Sequence, residues 1–153
     1  MKTNLIRRRN DRRGGMVLET AIVLPVLMLC LIFPAMEFGY FFYLKHTFQG
    51  AAREGARTAI LAGVDNAKVT SVVTDTLKVG GVETGFSVSI TKNPTSITDD
   101  GTAVADLRTE PAGTPILVKV TAKWSAVGLP WLSPLYGVGD NKDVVGRTIM
   151  RKE

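Results

Sequence analysis

A chain of 153 residues has room for one small domain and an anchor, and not for two ordinary domains. The net charge of +5 would suit a nucleic-acid ligand, but Lys2, Arg7, Arg8, Arg9, Arg12 and Arg13 all precede Gly14, against the one acid Asp11, and the rest is balanced. A basic excess confined to the flank of a hydrophobic segment points to positive-inside anchoring and away from nucleic acid.

Residues 1–14 therefore read as a basic cytoplasmic leader and 15–44 as a transmembrane helix. Between Glu19 and Glu37 lie 17 residues without a charge. The two acids are 18 positions apart, about 27 Å along a helix, close to a hydrocarbon thickness of about 30 Å. Each carboxylate is expected near one membrane boundary, with the aromatic run Phe38-Gly39-Tyr40-Phe41-Phe42-Tyr43 at the outer interface. A carboxylate at the lip of such a segment is costly, so Glu19 invites a functional reading. Pro25 and Pro34 are tolerable in a membrane helix, where neighbours or water satisfy the freed carbonyls. A cleaved secretory signal would need an A-x-A-like site, which Phe33-Pro34-Ala35 does not supply, and a lipoprotein signal would need a small residue where Leu29 precedes Cys30. The Arg-rich flank and the length of the run argue against a soluble buried helix. The flanks place the N-terminus in the cytoplasm and the C-terminal domain outside it.

Residues 45–80 read as an extracytoplasmic helical part. The first helix is expected to continue from Lys45 to Ala62 and to end at Gly63. Ala51, Gly55, Ala59 and Gly63 recur every four residues, a small-residue seam that lets another helix approach closely. The same residues also suit a helix by propensity alone. Arg53, Glu54 and Arg57 keep this part out of lipid. A second helix is expected from Asn66 to Lys78, capped by Asp65, with Val69, Val72, Val73 and Leu77 on one face and Gly80-Gly81 as its stop.

Residues 81–153 read as a small β-rich part. Phe86, Val88 and Ile90 alternate with polar residues, and Ile116, Val118, Val120, Ala122 and Trp124 do the same more clearly. Lys92 to Pro115 reads as a long loop with a short strand over Val104 to Leu107, Gly128 to Asp140 as a second loop, and Val144 to Arg151 as a last strand. The expected fold class is α+β: a long N-terminal transmembrane helix continuing into one further helix and about three antiparallel strands.

No chemistry is encoded in a motif. There is no nucleophile elbow, no phosphate-binding glycine loop and no zinc-type His-Glu-x-x-His. One Cys, Cys30, and one His, His46, rule out an intramolecular disulfide and any Cys or His cluster for a metal. Asp99-Asp100 and Asp140-x-x-Asp143 read as turn formers with too few oxygen ligands for Ca²⁺. No cofactor and no metal site is expected, and the chain does not read as an enzyme.

Several of these residues together resemble the TadE-like family, pilin-like proteins of the tight-adherence (Flp) pilus machinery. They are Arg12-Arg13-Gly14, Glu19, Ile22-Val23-Leu24-Pro25, Glu37-Phe38-Gly39 and Ala51-Ala52-Arg53-Glu54-Gly55-Ala56-Arg57. Arg147-Thr148-Ile149-Met150-Arg151 also looks like the family's last strand. The resemblance implies cutting by a prepilin peptidase on the cytoplasmic side. A cut after Gly14 makes Gly15 the first mature residue and Glu19 the fifth, the spacing pilin-like proteins use. Thr20 departs from the pattern, since an aromatic residue often follows the Glu in this group. Some TadE-like proteins are not processed. The implied partners are membrane lipid, the peptidase, and other pilins or Tad assembly proteins. Glu19 would then set the register by meeting a neighbouring subunit's N-terminal amine. The alternative is an uncleaved signal-anchored envelope protein whose outer domain binds a surface or secretion partner.

Overall fold

The computed structural model describes residues 13–128 and 141–153. The leader cations up to Arg12, and the second loop with Pro130, Trp131, Pro134, Tyr136 and Asp140, lie outside the described residues. The chain forms two compact units that divide between Ala35 and Met36.

Helix α1 runs Arg13–Ala59 and passes through both Pro25 and Pro34. In the first unit it is the only described element. In the second unit its residues 37, 44, 48, 51, 52, 55, 56 and 59 are buried, a stripe at helical spacing that faces a core. The helix was expected to reach Ala62 and stops at Ala59. Its end tightens instead, with Leu61 N–H donating to Thr58 O at 3.3 Å, and Gly63 takes a left-handed φ of 76° that turns the chain back.

Helix α2, Asn66–Val79, has the boundaries its local signals require. Asp65 Oδ1 accepts from Lys68 N–H at 2.8 Å, an N-cap of the kind worth about 1 kcal/mol. At the other end Val82 N–H reaches Leu77 O and Gly81 N–H reaches Lys78 O, both at 2.9 Å, with Gly81 at φ 78°. Val69, Val73 and Leu77 are fully buried, while Val72 is half-buried.

The four-stranded antiparallel sheet has the order β2-β1-β3-β4. Its strands are β1 Phe86–Lys92, β2 Thr102–Ala103, β3 Pro115–Lys123 and β4 Asp143–Arg151. Val88 pairs with Val120, Ile90 with Val118, and Ala122 with Val144, so the alternating apolar residues share one face. That face and the α1 and α2 stripes enclose the core, in which Leu44, Phe48, Leu77, Leu107, Ile116 and Trp124 are the largest apolar members. Complete burial of one such side chain contributes about 1.5–3 kcal/mol.

Two expectations for the β-rich part are corrected. The short strand expected over Val104 to Leu107 lies earlier, at Thr102–Ala103, and Leu107 opens a 3₁₀ turn. Asn66 decides this: its side-chain amide donates to Val104 O and Ala105 O at 3.0 and 3.1 Å, and its oxygen accepts from Leu107 N–H at 3.2 Å. Those backbone groups are thereby unavailable to a strand partner. This displaced two-residue strand completes the four-stranded sheet. Trp124, read as the end of β3, begins a one-turn helix α3, Trp124–Val127, and its N–H donates to Lys142 O at 2.8 Å.

Candidate functional site

The first unit is the most unusual surface of the molecule. Every residue from 15 to 32 is exposed, including Met16 at 74%, Ile22 at 62% and Leu31 at 58%. None of the helix's most apolar window is buried. Contiguous apolar surface of this size marks an interaction with lipid or protein, and a core helix would be covered. A long apolar helix of this kind, near the N-terminus, suggests a single-pass membrane anchor.

The suspected cleavage residues, Gly14 and Gly15, fall in the first turn of α1, and a Cβ placed on Gly15 would meet nothing within 4 Å. Glu19 is exposed one turn further on. Thr20, the departure from the family pattern, satisfies its hydroxyl locally by donating to Met16 O at 2.9 Å. A polar side chain is thereby accommodated on an apolar helix.

Glu37 is not displayed at a surface. It is 1% exposed and belongs to the buried stripe of the second unit. The aromatic run that follows is divided. Tyr40 and Phe41 pack on the buried Trp124 ring, with centroids 6.1 and 5.4 Å away, whereas Phe38 and Phe42 are exposed. Leu44, the end of the apolar run read from the sequence, is fully buried in this core.

The seam residues are used inside the chain. Ala51 and Ala59 are fully buried. A Cβ on Gly55 would come within 2.5 Å of Val73 Cγ2 and 3.2 Å of Val118 Cγ1, so α2 and β3 both approach α1 there. Gly63 is not part of the seam; it is exposed in the turn after the helix. Arg53, Glu54 and Arg57 are exposed, and Arg57 Nη1 lies 3.5 Å from Glu54 Oε1, an exposed pair worth a few tenths of a kcal/mol.

The sequence reading missed the lock between α1 and the sheet. A Cβ on Gly146 would stand 2.2 Å from Phe48 O and 2.7 Å from Gln49 N, so helix and strand backbones touch. Beside that contact, Gln49 Nε2 donates to Arg147 O at 2.7 Å and Gln49 Oε1 accepts from Arg147 N–H at 3.2 Å. The amide of Gln49 thus stands in for a neighbouring strand at the β4 edge. A Gly inside an alternating strand is the signal that could have found this approach.

The acid pair also does more than form a turn. Asp99 caps it, accepting from Thr95 N–H at 2.8 Å and Gly101 N–H at 3.2 Å; these bonds hold its carboxyl below the ordinary Asp value. Asp100 pins the loop to the outer face of the sheet through Lys119 Nζ at 2.7 Å and Arg147 Nη2 at 3.3 Å. The Lys119 hydrogen bond, followed by the nearby charges of Lys119 and Arg147, holds its carboxyl low as well. Among the described residues no group of three or more His, Cys, Asp or Glu is placed to hold a metal ion.

No curated protein and no solved structure matches the chain. A family model described as TadE-like protein matches residues 14–57, which lie within α1 and include none of α2 or the sheet. Over that segment the chain is similar to TadE-like proteins.

Proposed function

We propose that this chain acts in the assembly of a tight-adherence pilus or a related surface structure, and that its work is packing and not catalysis. One observation carries the reading. Within the matched residues 14–57, the apolar helix is left uncovered from 15 to 32 and holds one carboxylate, Glu19, near its start. An uncovered apolar helix can be buried by lipid or by other subunits, and a carboxylate on it favours a position where a cation can meet it. In this proposal a prepilin peptidase cuts between Gly14 and Gly15 and removes the basic excess. Glu19 then meets the new N-terminal amine of a neighbouring subunit and sets the register. The chain spans the inner membrane once, with its second unit outside the cytoplasm, and its partners are other pilins or Tad assembly proteins.

The test is the intact mass and N-terminal sequence of the protein purified from its native membrane. A start at Gly15 is expected. A start at Met1 would instead support an uncleaved signal anchor, and a start beyond Ala35 would make the apolar run a conventional signal peptide. The companion test is Glu19→Ala, expected to insert normally and to lose co-purification with partner pilins; undiminished co-purification would remove the register role.

A further inference from the structure

The outer face of the sheet, turned away from the core, has a cover of its own. Register places Thr91, Leu117 and Ile149 side by side on β1, β3 and β4, with Ser89, Lys119 and Arg147 as the next row of the same face. Their neighbours Ile90, Ile116, Val118 and Met150 turn to the core. Leu117 is nonetheless fully buried, and Thr91 nearly so.

Residues 93–101, which join β1 to β2, supply the cover. They start beside the first row at Asn93, whose N–H donates to Pro115 O at 3.0 Å. They reach the second row at their far end, where Asp100 meets Lys119 Nζ at 2.7 Å and Arg147 Nη2 at 3.3 Å. Arg147 Nη1 also donates to Ile97 O and Thr98 O at 3.1 and 2.8 Å. A path from the edge of the first row to the β4 end of the second passes over Leu117.

The base of this segment is fixed. Thr91 and Lys92 pair with Ala103 and Thr102, and a Cβ on Gly101 would come within 2.5 Å of Lys92 O, so the two ends touch. Asn93 at φ 52° and Gly101 at φ 59° turn the chain there through the left-handed region, which Asn and Gly tolerate best. The far end is held differently, by charge at the surface. Asp100 is exposed, and its two cations are half-buried on the strands. Closure also buries the Thr91 hydroxyl, which has no hydrogen-bond partner among the described residues. A buried hydroxyl without a partner disfavours the closed state, and water reaches it once the cover lifts.

We propose that residues 93–101 form a charge-latched strap. Asp100 on Lys119 and Arg147 holds it shut over Thr91, Leu117 and Ile149, and loss of that contact lifts it about Asn93 and Gly101 while the sheet stays folded.

The test uses the full chain with Cys30→Ala in detergent. Thr91→Cys replaces the covered hydroxyl by a thiol of similar size, and its rate of reaction with uncharged dithiodipyridine reports opening. The expected rate is several-fold higher in about 1 M sodium chloride, where the screening length falls to about 3 Å. Asp100→Asn should raise it likewise at low salt, and in both cases the urea midpoint should not move. A rate that ignores both changes, or that rises only as the midpoint falls, overturns the strap. A second measurement leaves the covered row intact: a spin-label pair at the exposed positions Ile97→Cys and Ser87→Cys. Asp100→Asn should lengthen and broaden their distance distribution; an unchanged, narrow distribution overturns the proposal as well.

Discussion

Helix α1 contains two stretches that solve the same problem differently. From 15 to 32 it is apolar on all sides, and none of the described residues covers it. From Glu37 to Ala59 it is apolar on a stripe, and the chain's own sheet and second helix cover that stripe. Both are helical, the first in spite of Pro25. What differs is the angular distribution of apolar side chains, which decides whether a helix needs a solvent from outside the chain or finds one within it. The small residues make the same distinction. Gly15, Gly39 and Gly50 have open space where a Cβ would stand, whereas Gly55 has none.

The largest expected effect breaks the internal solution. Gly146→Ala would place a Cβ 2.2 Å from Phe48 O and 2.4 Å from Phe48 C. These are backbone atoms, so no rotamer change relieves the clash. α1 must lift from β4, and Gln49 loses its bonds to Arg147. We expect a destabilisation of about 3 kcal/mol or more, read as a lowered urea midpoint for the full chain in detergent. A midpoint within error of the parent would mean that helix and strand do not meet backbone to backbone.

A smaller effect sharpens the contrast between covered and uncovered glycines. Gly55→Ala would bring a Cβ within 2.5 Å of Val73 Cγ2, a branched side chain with few rotamers to move to. Helix propensity favours the substitution by about 1 kcal/mol, and overpacking opposes it by about 1–3 kcal/mol. A net loss of up to about 2 kcal/mol is therefore expected. Gly50→Ala, on the same helix with open space around it, should gain about 0.5–1 kcal/mol. Equal responses at the two sites would remove the argument that the seam is packed by α2 and β3.

Asp65→Ala is next in size. It removes the cap on Lys68 N–H and the 2.6 Å ion pair with Arg108, which is partly exposed. The expected cost is about 1 kcal/mol, with raised amide exchange in the first turn of α2. Unchanged exchange at Lys68 would show that the cap contributes nothing.

The parts legible in the sequence are those whose signals are local. Asp65 and the pair Gly80-Gly81 mark both ends of α2, because caps act within one turn. Alternation marks β1, β3 and β4, because period two survives whatever the sheet packs against. The burial of Glu37 was not read from the sequence, because a charge after an apolar run looks like a membrane boundary to any hydropathy count. The spacing of 37, 40, 41, 44 and 48 would have shown a buried stripe. The displaced β2 and the Gln49 lock were out of reach because they depend on distant partners. Asn66 holds a segment 38 to 41 positions away, and Gln49 bonds a strand 98 positions away. The suspected anchor, by contrast, lies wholly in local signals.

The weakest predicted effect concerns the loop fastened over the outer face of the sheet, and its sign can be worked out. Lys119 and Arg147 face Asp100 from β3 and β4, and Asp99 opposes them from the loop itself. The balance holds the Asp100 carboxyl below its ordinary value. A group that binds its proton more weakly in the fold than in the unfolded chain stabilises the fold above the unfolded value, about 3.9 for Asp, and loses that contribution as pH falls through the lower folded value. Amide protection around Ile97 and Thr98, whose carbonyls accept from Arg147 at 3.1 and 2.8 Å, should therefore hold steady from neutral pH to about pH 4 and decline below it. Asp100→Asn should show the lower protection at every pH, with no acid step. Asp100 is exposed on a surface loop, so the change should remain local to the loop and leave the global unfolding midpoint where it is. An acid step that persists in Asp100→Asn would move the titration to Asp99, whose bonds to Thr95 and Gly101 shape the turn from within.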